Sequence, residues 1–179
     1  CCRSIGNLMS SLWRDSSAME LGAVSDPSSS PRLYEWRFNR ATGAVSERYL
    51  DDDSSEFPRI PETKQGHGFR YGYCLGMAGG GTEGMGGAVF KYDMAQGGAK
   101  EIHAFPAGHE PGESVFVPAE GGSAEDDGYT MTYVWKPETD TSYLVILDAS
   151  NISAKPIAEI HIPRRVVSGF HSSWIPDNR

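Results

Sequence analysis

From Leu33 onward the chain reads as short apolar runs that alternate with polar residues and are punctuated by turn residues. Leu33, Trp36 and Phe38 fall in an aromatic-rich run. Thr42–Gly43 turns the chain, and Ala44 to Leu50 returns with Val45 and Tyr49 spaced for a strand, which is the pattern of a hairpin. Asp51–Asp53 follows as an acidic turn. The same reading predicts strands over Phe69 to Met77, Ala88 to Tyr92, Ala99 to Phe105, Ser114 to Val117, Tyr129 to Trp135, Tyr143 to Leu147 and Pro156 to Pro163. Asp93 to Gly98, Asp127–Gly128 and Pro137 to Thr141 join them as turns. In the last strand Ala158, Ile160 and Ile162 share one face, with Glu159 and His161 on the other.

Helical spacing occurs once, over Ile5, Leu8, Met9, Leu12 and Trp13, ahead of a polar loop at Ser25–Ser30. Residues 1–30 therefore form a lead-in segment and residues 31–179 the strand-rich part. Short strands with frequent turns predict an all-β sandwich, barrel or propeller. Spacing alone does not choose among the three.

Composition narrows the function classes. A net charge of −8 argues against a nucleic-acid partner, which needs a basic face, and against simple attraction to anionic lipid. No apolar run approaches the roughly 20 residues of a membrane-spanning helix. The cysteines Cys1, Cys2 and Cys74 are odd in number and lack C-x-x-C spacing, so they read as free thiols in a reducing compartment, which gives a cytoplasmic expectation. The glycine-rich span Gly79 to Gly87 lacks the Lys-Ser/Thr and the following helix of a phosphate cradle.

Four stretches carry more. SEFPRI (Ser55–Ile60), GESVFVP (Gly112–Pro118), AEDDGY (Ala124–Tyr129) and GFHSSW (Gly169–Trp174) appear in that order, with FKYD, YLVILDAS and PIAEIHIP between them. In this order and at these gaps they resemble the C-terminal part of the carotenoid cleavage oxygenase family. That family also holds bacterial stilbene-cleaving dioxygenases and the retinoid isomerase of the eye. The resemblance runs from Leu33 to Pro176. It implies the last two to three blades of a seven-bladed β-propeller with Fe(II) on its axis, held by four histidines. His171 matches the last of the four, and the other three precede this sequence. The chain starts Cys1–Cys2 and is less than half the family's length, so it is expected to be a C-terminal fragment.

The resemblance also assigns roles around the metal. Glu56 and Glu113 match carboxylates that accept the free ring N–H of ligating histidines, which fixes tautomer and orientation. Phe170 matches a wall of the substrate tunnel. Two positions depart from the family pattern: Ser172 stands where glycine is usual and Val167 where proline is usual. Outside the resemblance, Asp126–Asp127–Gly128 reads as a structural turn, and His67, His103, His109 and His161 share no metal spacing and read as solvated.

Two functions follow. One is the C-terminal part of a dioxygenase that cleaves a C=C bond of a carotenoid, apocarotenoid or stilbene-like substrate with O2, giving two carbonyl products. Its partners are an apolar polyene and O2, with peripheral membrane contact through regions outside this chain. The other is a non-catalytic propeller module in which His171 is vestigial.

Overall fold

The run Ala88–Asp93 is apolar on one face and mixed on the other, and the structure buries both. This is a computed structural model that describes residues 31–77, 87–167 and 169–177. The run is β4 in a series of strands: β1 (Arg32–Phe38), β2 (Val45–Arg59), β3 (Tyr71–Gly76), β4, β5 (Ala99–Ala104), β6 (Glu110–Pro111), β7 (Val115–Pro118), β8 (Gly128–Lys136), β9 (Thr141–Asp148) and β10 (Ala158–Ile162). Every pairing among them is antiparallel.

They form two sheets, ordered β1-β2-β3-β4-β5 and β10-β9-β8-β6, with β7 also pairing β8. The long strand β2 is shared: its first part pairs with β1, and its last part, from Ser55, pairs with β3. The two short strands β6 and β7 pair with successive parts of β8 and form one edge strand interrupted at Gly112–Ser114. Gly112 N–H still donates to Tyr133 O at 2.8 Å, so the ladder continues through part of the interruption. The last part of β2 with β3 to β5, and the interrupted edge strand with β8 to β10, are thereby each a four-stranded antiparallel meander, the unit that propellers repeat.

Alternation along β4 explains why it is buried twice. Val89 joins Tyr73, Val134, Tyr143, Val145 and Leu147 in a core between the two sheets. Ala88, Phe90 and Tyr92 join Leu33 and Cys74 in a second core, with Leu50 packed against it. Lys91 shares the first face. It is buried because Asp126 meets its ammonium group at 2.8 Å and the Tyr71 ring lies 4.3 Å away.

The strand expectations hold, with one correction. Asp51–Asp53 is not a turn, because β2 runs through it. Lys100 of β5 pairs with both Asp51 and Asp53, and the Tyr92 hydroxyl donates to Asp51 at 2.7 Å, so consecutive acids are tolerated in an extended strand. The helical spacing over Ile5–Trp13 and most of the glycine-rich span fall outside the described residues. Ile160 is about half exposed, since β10 is the edge of its sheet.

AEDDGY is structural throughout. Asp127 Oδ2 accepts the N–H groups of Ser123 and Ala124 at 2.7 and 2.8 Å and closes the turn. A Cβ at Gly128 would lie 2.3 Å from Val117 O, so β7 and β8 close only over glycine. Gly128→Ala should therefore lower stability by about 1–3 kcal/mol, the usual cost of forcing atoms into a packed site, as read from denaturant unfolding. The turn amides of Ala124 and then Ser123 hold the Asp127 carboxyl below its ordinary value. A depressed carboxylate stabilises above its unfolded pKa of about 3.9 and loses that contribution as pH falls through its folded value. Asp127→Ala should flatten this part of the acid stability profile.

Candidate functional site

The interruption between β6 and β7 is where the site begins. Breaking the edge strand at Gly112–Ser114 lets the Glu113 side chain turn inward, where only 2% of it remains exposed. A buried carboxylate needs partners, and Glu113 has three. Arg59 Nη1, at the end of β2, lies 3.4 Å from both oxygens. His171 Nδ1 lies 3.2 Å from Oε1. The Ser172 backbone N–H donates to Oε2 at 2.6 Å. The site therefore joins the end of β2 and the edge strand of the second sheet to the segment that follows β10.

The chemistry of the histidine follows from this contact. An ionised carboxylate only accepts, so Nδ1 carries the hydrogen and a neutral ring keeps its lone pair on Nε2. The side chain of His171 is 73% exposed, which leaves that nitrogen accessible. This is the arrangement in which a carboxylate fixes the tautomer of a metal-ligating histidine and raises its basicity. Among the described residues no group of three or more His, Cys, Asp or Glu is placed to hold a metal ion, so a shell that used His171 would need its further donors from elsewhere.

Glu56 sits in β2 opposite Leu75 and is buried, and its Oε1 has no hydrogen-bond partner among the described residues. Burial raises its pKa, partly offset by the Phe57 N–H. An orphaned buried carboxylate oxygen fits a partner supplied from beyond the described residues. The donor chemistry at both carboxylates thus suits a histidine-bound metal.

Two neighbours were not legible as site residues in the sequence. Arg59 belongs to SEFPRI but gave no sign of reaching across to Glu113. Phe57 packs edge-on against His171, with ring centroids 5.7 Å apart at 87°. Its φ of 51° is left-handed, a conformation that costs a bulky residue about 1–3 kcal/mol. The register of β2 against β3 also shifts between Glu56 and Arg59. A bulky residue before proline inside a strand is the one sequence signal that could have marked the kink.

The remaining expectations divide. Phe170 is exposed, and the described residues build no tunnel against it. His67 and His161 are exposed as expected. His103 and His109 are half-buried and bonded, not solvated. His103 Nδ1 donates at 2.9 Å to Ile152 O in the turn between β9 and β10, and His109 lies 3.0 Å from the Tyr143 hydroxyl and 3.3 Å from Glu138.

Comparison with known proteins shows the family of the chain. Residues 1–176 match the family described as retinal pigment epithelial membrane protein. The carotenoid cleavage oxygenase of Mycobacterium tuberculosis is 40% identical over 152 residues, which cover 83% of this chain and 30% of that protein. This chain belongs to the carotenoid cleavage oxygenase family. The apocarotenoid-15,15'-oxygenase of Synechocystis is 33% identical over 142 residues, covering 78% of this chain and 29% of that protein. The solved structure of cobalt-substituted Synechocystis apocarotenoid oxygenase superposes with a TM-score of 0.73 at 29% identity, covering 82% of this chain and 30% of that one. The all-β chain is thus part of a β-propeller, and it spans 29–30% of the length of these relatives.

The Arg59–Glu113 contact has a direct test. A double-mutant cycle with Arg59→Met and Glu113→Gln should return a coupling of about 0.5–3 kcal/mol, as for residues in one buried network. The same cycle at the exposed Arg37–Glu35 pair should return less.

Proposed function

We propose that this chain is the C-terminal part of a non-haem Fe(II) dioxygenase that cleaves a C=C bond of a carotenoid, apocarotenoid or stilbene-like substrate with O2, giving two carbonyl products. The observation that carries the reading is the exposed imidazole of His171, held at Nδ1 by the buried Glu113 in a chain of this family. When bound, iron would supply the activation of O2 beside the double bond. His171 would bind it through Nε2. Glu113 would hold the ring and keep its hydrogen on Nδ1. Glu56 would do the same for a histidine from outside this chain.

The departure at Ser172 does not weaken this reading. The contact made there is through the backbone N–H, which glycine and serine share. The substrate is read as an apolar polyene, in keeping with the names of the relatives. Its tunnel would be walled mostly by parts of the protein beyond this chain.

Three variants of the full-length protein test the assignment. His171→Ala should abolish stoichiometric iron and cleavage. Glu113→Gln keeps the shape and one acceptor oxygen but loses the charge, so iron affinity or activity should fall by about 10–100-fold. Glu110→Gln, at an exposed neighbour, should be close to neutral. Metal analysis and the rate of substrate bleaching read all three. Equal damage from Glu110→Gln and Glu113→Gln would assign the wrong carboxylate. Full iron content without cleavage would favour a binding module instead. Expressed alone, this chain should not retain iron after desalting, since one donor does not hold it.

A further inference from the structure

We infer that Phe57 is a positioning residue for His171, setting the plane of the imidazole so that Nε2 is aimed at the metal. The inference rests on the reading of His171 as a metal ligand. A single hydrogen bond from Nδ1 to Glu113 is a pivot: it fixes one ring atom but leaves the ring free to rotate about the N···O line. The side chain is otherwise largely exposed, so packing does not remove that freedom. The edge of a second ring does. Phe57 meets His171 at 87°, close to the perpendicular arrangement that aromatic pairs favour, so tilting the imidazole breaks the contact.

The backbone explains why Phe57 is available. Successive residues of a regular strand point to opposite faces. At φ 51° Phe57 leaves that alternation, inside the irregular pairing between Glu56 and Arg59. Among the described residues the other non-glycine with positive φ is Asp140, a type that tolerates the left-handed region far better than phenylalanine. A strained phenylalanine between Glu56 and Arg59, set against the ring of His171, is consistent with a conformation kept for what the ring touches.

The test uses the full-length protein loaded with Fe(II) at limiting concentration and, separately, with Co(II), whose visible bands report ligand geometry. Phe57→Leu keeps apolar bulk and loses the ring edge. Phe57→Gly loses the ring and relieves the backbone. Phe57→Tyr keeps the edge. Both Phe57→Leu and Phe57→Gly should weaken Fe(II) binding by about 2–10-fold, the worth of one aromatic edge contact, and shift or broaden the Co(II) bands. Phe57→Tyr should restore both. His171→Ala separates this inference from the reading beneath it. If His171→Ala loses metal while all three Phe57 variants match the parent in affinity and spectrum, the positioning role is wrong and the ligand role stands. A lowered melting temperature with unchanged Co(II) bands likewise overturns the positioning role. If His171→Ala binds metal like the parent, the ligand role falls, and this inference with it.

Discussion

Glu113 is a carboxylate almost fully withdrawn from water, and three segments far apart in sequence are tied to it. Arg59 stands 54 residues before it and His171 58 residues after it. Leaving such a group unpaired would cost several kcal/mol in a low-dielectric interior, so the geometry of all three segments is constrained together. β2 must end where Arg59 can reach across to the second sheet. The edge strand of that sheet must break at Gly112–Ser114 to turn the carboxylate inward. The segment after β10 must return to this edge so that His171 and the Ser172 amide meet it. The packing of the two sheets through Tyr73, Val89, Val134 and Val145 makes that convergence possible, since it sets their edges side by side.

Much of the framework was legible in the sequence, and the reasons are local. Hairpins and strands follow from alternation and turn residues, which act over a few positions. The burial of Ser114–Val117 follows from its near-continuous apolar character, whereas that of Lys91 in β4 depends on Asp126, 35 residues away. Asp51–Asp53 was misread for the opposite reason. What makes consecutive acids acceptable in β2 is Lys100, 47 to 49 residues away, and no local pattern announces it. His103 was misread similarly, because its bonding partner is the Ile152 carbonyl, 49 residues away in the turn between β9 and β10.

The site was legible in a different way. Nothing in the spacing of Glu113 and His171 brings them together, and family resemblance supplied both residues. The structure sets them 3.2 Å apart. Resemblance did not supply Phe57 and Arg59, although they lie beside Glu56 in the same motif. Their roles depend on a left-handed residue in mid-strand and on a contact across sheets. Both are consequences of tertiary packing that override the ordinary preferences of phenylalanine and of an arginine at a strand end.

The contacts around Glu113 hold His171 without help from any further group. Arg59 and Glu113 together are neutral, so the buried carboxylate does not need a protonated imidazole to balance it. A neutral imidazole that donates from Nδ1 has its lone pair on Nε2. Arg59 also shares the oxygen that meets Nδ1, which moderates how much basicity the carboxylate lends to the ring. Glu56 presents the contrasting case: among the described residues its Oε1 has no bonded partner, and burial raises its pKa. Among the described residues one carboxylate has partners on both oxygens, while the other keeps one oxygen open, so the two are held in different ways.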